Sequence, residues 1–162
     1  MNATSELAGY LAAHAIWCVS NGDMLIPMLA YCADDGERKL ERLLINDFAI
    51  AVETGKRKLD ANTMAANDAV LVFDGFIPID EEKHDAIIVE MRCYLSPGSQ
   101  AVIAVPYTPV VKRRFLVHTP RILTWEQCGE YELDEAMDAF FQGVESHEKG
   151  SQIWYERLDE SK

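Results

Sequence analysis

The stretch Ala69–Leu95 constrains the fold more than any other part of the chain. Ala69-Val70-Leu71-Val72-Phe73 and Ala86-Ile87-Ile88-Val89 are short β-branched and aromatic runs, and the polar segment Asp80-Glu81-Glu82-Lys83-His84 separates them. Runs of this kind favour extended backbone, and so short a connection forces antiparallel pairing. The chain is therefore expected to hold a central hairpin, with strands over Ala69–Ile77 and Asp85–Leu95.

Symmetric pairing places Asp74 opposite Ile88 and Glu90 opposite Val72. Leu71, Phe73 and Ile77 then share a face with Ile87, Val89, Met91 and Cys93, and that face lies under helices. The other face carries Val70, Val72, Asp74, Phe76, Ile88, Glu90 and Arg92. It is too apolar to sit wholly in water, which suggests a homodimer through this face or its edge.

Further strands are expected over Gln100–Tyr107, after the turn Ser96-Pro97-Gly98-Ser99, and over Arg114–Thr119 and Arg121–Trp125. Met24–Ala33 reads as an edge strand because of Pro27. Lys39–Ile45 reads as its returning partner, with a helix start as the alternative. Helices are expected over residues 5–20, capped by Thr4 or Ser5, over Asp47–Ala61, capped by Asn46, and over Leu133–His147. Ile153, Trp154 and Leu158 should pack rather than hang free. The result is one α+β domain over 1–162: an antiparallel sheet of about five to six strands with helices packed on one face.

Charge narrows the functional classes. The chain has 15 Lys and Arg against 27 Asp and Glu, a net of −12. Residues 126–162 hold 11 of the acids and 3 of the bases, so this acidic C-terminal region carries two thirds of the excess. Such a balance argues against nucleic-acid and anionic-membrane partners and favours a basic protein partner. No apolar run approaches a membrane span, and no secretory signal is visible, so a cytoplasmic location is expected. Cys18, Cys32, Cys93 and Cys128 form no C-x-x-C pair and read as free thiols of a reducing compartment.

Candidate chemistry is sparse. Asp74 and Glu90, diagonal neighbours in the expected register, are placed to share an acid–base task or a divalent cation, with Arg92 or His84 assisting. The same pattern describes a polar strand face with ion pairs. No metal, nucleotide or other cofactor motif appears, and there is no Gly-x-Ser-x-Gly elbow. Lys112-Arg113-Arg114, between Tyr107 and Phe115, is expected to pair with the acidic C-terminal region rather than to bind an anion.

The stretch Ala69–Ile77 with Asp85–Glu90 resembles a hairpin of small uncharacterised bacterial α+β proteins, strand-Asp-Gly-aromatic followed by Asp-Ala-x-x-Val-Glu. The resemblance implies a bacterial cytosolic protein and no activity. The reading that follows is a non-catalytic binding or accessory protein, of an immunity or inhibitory kind, facing a basic partner. The alternative is a small enzyme built on Asp74 and Glu90.

Overall fold

The computed structural model describes all 162 residues. In chain order the elements are α1 (Asn2–Val19), β1 (Met28–Cys32), β2 (Arg38–Arg42), α2 (Phe48–Ala61), β3 (Asp68–Ile79), β4 (Glu82–Cys93), β5 (Ser99–Thr108), β6 (Leu116–His118), β7 (Arg121–Glu126), α3 (Leu133–Ser146), α4 (Glu148–Glu156) and β8 (Leu158–Asp159). The α+β class follows, with eight strands rather than five or six. The sheet runs β2-β1-β3-β4-β5-β6-β8, and β7 also pairs with β5. It is mixed rather than purely antiparallel, because β8 pairs parallel to β6.

The central hairpin forms, in a different register. Its turn has two residues, Asp80 and Glu81, with φ of 50° and 68°. Two successive left-handed residues match the twist of the flanking strands, so Glu82, Lys83 and His84 join β4 instead of a loop. Asp74 therefore faces Ile87, and Glu90 faces Leu71. A shift of one residue moves a strand's whole side-chain set to the other face. Val70 and Val72 lie with Val89, Ile87 and Met91, while Ala69 and Leu71 lie on the reverse.

Both faces are covered, which corrects the expectation of helices on one side. Helix α1 covers the Val70–Val89 face and shares the largest core cluster with it. Helix α2 closes the reverse face with Ala51 and Leu59 against Leu29, Ala69 and Leu71. The residues expected to form one apolar face are thus divided: Val70 and Val72 pack under α1, and Ile88 packs on the reverse face with Ile77, Ile79, Ala86 and Ala104. Pro27 precedes β1, and β1 is flanked by β2 and β3, so β1 is no edge. The edge falls to β2, Arg38-Lys39-Leu40-Glu41-Arg42, whose charges discourage strand addition.

Helix α1 starts earlier than expected, and Thr4 and Ser5 are buried within it instead of capping it. The Thr4 hydroxyl bonds the Asp68 carboxylate. Asp47, not Asn46, caps α2 by accepting from the Ala49 and Ile50 N–H groups at 2.9 and 3.2 Å. Helix α1 lies between the sheet and the pair α3–α4. Its small residues Ala8, Ala12, Ala13 and Ala15 are fully buried. At the crossing with α3, a Cβ on Gly9 would overlap the Phe140 carbonyl, and one on Gly143 would overlap the Glu6 carbonyl.

Residue His147 ends α3 and caps α4, accepting from the Gly150 N–H through Nδ1 at 2.9 Å. Because Nδ1 accepts, the neutral ring carries its proton on Nε2 and donates it to His14 Nδ1, 3.0 Å away. Burial lowers the pKa of both rings. Helix α4 also seats Trp154 in the core, the tail packing the sequence called for.

Two outcomes are expected. Gly9→Ala or Gly143→Ala should cost about 2 kcal/mol or more in urea unfolding, since neither backbone carbonyl can step aside; Gly129→Ala, at an open position, should cost little. A basic group whose folded pKa lies below its ordinary 6.5 binds fewer protons folded than unfolded. Its stabilisation is full above pH 6.5 and declines as pH falls towards the folded value. His147→Asn, which keeps a capping acceptor but cannot titrate, should make the fall of Tm between pH 6.5 and 5 shallower.

Candidate binding cleft and acidic face

The register decides the fate of the sequence candidates. Asp74 and Glu90 point to opposite faces of the sheet and line no common site. Glu90, 9% exposed, meets the Lys56 ammonium of α2 at 3.1 Å and Arg92 at 3.9 Å. Arg92 also reaches Asp60 at 3.2 Å, so both residues tie α2 to the sheet. His84 stands on β4, 3.8 Å from Glu82. No three His, Cys, Asp or Glu side chains converge closely enough to hold a metal ion. All four cysteines are free, and burial raises the Cys18 and Cys128 thiols, which disfavours the reactive thiolate.

Asp74 has a different setting, one the sequence did not disclose. Tyr107 on β5 brings its hydroxyl to both carboxylate oxygens, at 2.9 and 3.0 Å. The pair lies in a cleft of about 300 Å³. Its walls are apolar: Phe48 and Val52 from α2, Phe73 from β3, Met24 from the α1–β1 connection, and Val110 and Val111 after β5. Met24 and Val111 are 71% and 84% exposed, so the rim presents hydrocarbon to water. Asp23 is the second carboxylate in the wall.

Crowding by these walls raises the Asp74 pKa. The Tyr107 and Gly75 hydrogen bonds oppose that rise, and the charge of Asp85 adds to it. Tyr107 is pushed well above its ordinary value, by burial and then by Asp74, and is a phenol at any physiological pH. The cleft thus combines apolar walls with two carboxylates that remain open to solvent, one of them, Asp74, crowded by those walls. An alkyl or aryl group bearing a cation fits that chemistry. Asp74 and Tyr107 lie on β3 and β5, strands that do not pair with each other, so strand register alone does not reveal their contact.

A second feature lies on α3 and α4. Asp134, Glu135, Asp138, Glu145, Glu148 and Glu156 are all exposed, and none forms an ion pair. The one cation on these helices is Lys149, whose ammonium sits over the Trp17 ring. The basic run after β5 does not neutralise this surface. Lys112 pairs with Asp85 at 3.1 Å, and no ion pair joins Arg113 or Arg114 to the C-terminal region. That corrects the expected internal pairing.

No helix is long and apolar enough to cross a membrane. The chain matches no protein-family model, no curated protein and no solved structure at a significant level.

The raised Asp74 pKa has a sign. The folded state holds that proton more tightly than the unfolded chain, whose pKa is near 3.8. Stability therefore falls as pH rises from about 3.8 through the folded value, and the penalty is complete above it. Asp74→Thr, which leaves Tyr107 a hydroxyl partner, should raise Tm at pH 7. The gain should shrink on acidification towards pH 4, as followed by calorimetry across pH.

Proposed function

We propose that the chain is a cytoplasmic, non-catalytic binding or accessory protein that docks a basic protein partner. The observation that supports this most directly is the face of α3 and α4, with six exposed carboxylates outside any ion pair against one cation. Charges of one sign that are left unpaired in the free protein steer an oppositely charged partner and raise its on-rate. The cleft at Asp74 supplies the short-range anchor. A Lys or Arg stem from the partner runs along Phe48 and Met24 and brings its cation to Asp23 and Asp74. A carboxylate-pair enzyme loses its basis, since Asp74 and Glu90 stand on opposite faces.

A synthetic amphipathic peptide of leucine and lysine, followed by fluorescence anisotropy, tests the reading. It should bind at about 50 mM salt and weaken steadily as salt screens the charges. The triple variant Glu135→Lys, Asp138→Lys, Glu145→Lys should lose about tenfold or more in affinity and most of the salt dependence. Asp74→Thr should raise the off-rate with little change in on-rate. Equal affinity of the wild type and the triple variant would remove the acidic face from the interaction.

A further inference from the structure

A second cleft, independent of the acidic face, has the opposite chemistry. It holds about 360 Å³ and is built from the tip of the β3–β4 hairpin, the end of β5, the following loop, β6 and the C-terminal residues. Four Lys or Arg side chains line it, Lys83, Lys112, Arg113 and Lys162, against the three carboxylates of Glu82, Asp85 and Asp159. Two of the carboxylates are engaged: Asp85 holds Lys112 at 3.1 Å, and Asp159 accepts from the Ser161 hydroxyl and N–H at 2.6 and 3.0 Å. The Glu82 carboxylate makes no hydrogen bond and stands exposed at the rim, 3.8 Å from His84. Arg113 and Lys162 have no carboxylate within ion-pair distance.

One wall of the cleft has fixed hydrogen-bond polarity. His118 is 1% exposed. Its Nδ1 lies 3.3 Å from the Asp159 backbone carbonyl, which only accepts, so Nδ1 carries the proton. Nε2 of the neutral ring is then bare and accepts from the Thr108 hydroxyl at 2.8 Å. The Thr108 proton is committed inward. What Thr108 offers the cleft is therefore an oxygen lone pair, an acceptor beside unpaired cations.

We infer that this cleft binds a small tetrahedral oxyanion that still carries a proton, hydrogen phosphate being the simplest. Its anionic oxygens meet Arg113 and Lys162, the cations without a carboxylate partner, and its remaining O–H donates to Thr108 Oγ1. Sulfate has the same shape and charge but no proton at neutral pH, so it meets the Thr108 lone pair with a lone pair of its own. The cations attract both ions, and the hydroxyl discriminates between them.

The polarity of the wall depends on a neutral His118. Burial lowers its pKa, the Asp159 carbonyl and carboxylate oppose that, and Lys162 and His84 reinforce it. Of the other charged groups in the cleft, Lys83, Lys112 and Arg113 disfavour the imidazolium, and Glu82 and Asp85 favour it. At pH 7.5 the ring is neutral and discrimination should be complete. Protonating His118 turns Nε2 into a donor to Thr108, whose O–H is then free to serve sulfate.

Calorimetric titration of the full chain with sodium phosphate, and separately with sodium sulfate, at pH 7.5 and fixed ionic strength tests this. Phosphate should bind about tenfold more tightly than sulfate, the size of one hydrogen bond gained against one repelled. Arg113→Ala should weaken both ions. Thr108→Val should abolish the preference while leaving sulfate binding intact, and Thr108→Ser should restore it; circular-dichroism melts confirm that each variant folds. Equal binding of the two ions, a preference that survives Thr108→Val, or no heat from phosphate would each overturn the assignment.

Discussion

The contact between α1 and α3 carries the architecture. Two helices approach until backbone meets backbone, and Gly9 and Gly143 make room for it. Only then can α1 lie between the sheet and α3–α4 and be buried on nearly every side. The alanines of α1 serve the same end: they fill a narrow layer without forcing its neighbours apart. Leu7, Leu11 and Ile16 supply the larger apolar surface within that layer. The position of α4, and with it the His14–His147 contact, follows from where α3 ends.

Much of this was legible in the residues. The α+β class, the hairpin over Ala69–Leu95, the strands after it and the helices near 47–61 and 133–147 follow from apolar spacing and turn chemistry. The face of α2, with Ala51, Gly55 and Leu59 buried, follows from helical period. What failed has particular causes. The turn at Asp80–Glu81 uses two left-handed residues that are not glycine, so a polar run read as a loop is mostly strand. One residue of register then exchanged the faces and separated Asp74 from Glu90. The absence of apolar–polar alternation at the start of β3 in fact signals a strand buried on both faces, the pattern that should have predicted α2 opposite α1. Helix α4 is short, and its cap is a histidine, a residue that helix-start rules do not favour.

The two clefts were hidden for another reason. Each draws on elements far apart in sequence: Asp74 with Tyr107 in one, Thr108 and His118 with Asp159 in the other. They lie back to back, and Tyr107 and Pro109 line both. The segment after β5 therefore separates an apolar, carboxylate-bearing hollow from a cation-bearing one. Charge in this chain is segregated at short range: four bases line the second cleft, and the outer helices α3 and α4 carry acids with Lys149 as their one cation.

The order of assembly has a cost of its own. Helix α1 is residues 2–19, and the helices that enclose it are residues 133–156. At ordinary translation speeds its hydrocarbon waits on the order of ten seconds for its cover. The sheet strands that form its floor appear sooner, yet its outer surface stays bare until α3 and α4 have been made. The nascent chain therefore exposes an adhesive rod through the synthesis of more than a hundred residues that separate α1 from α3, and this long-range closure slows folding.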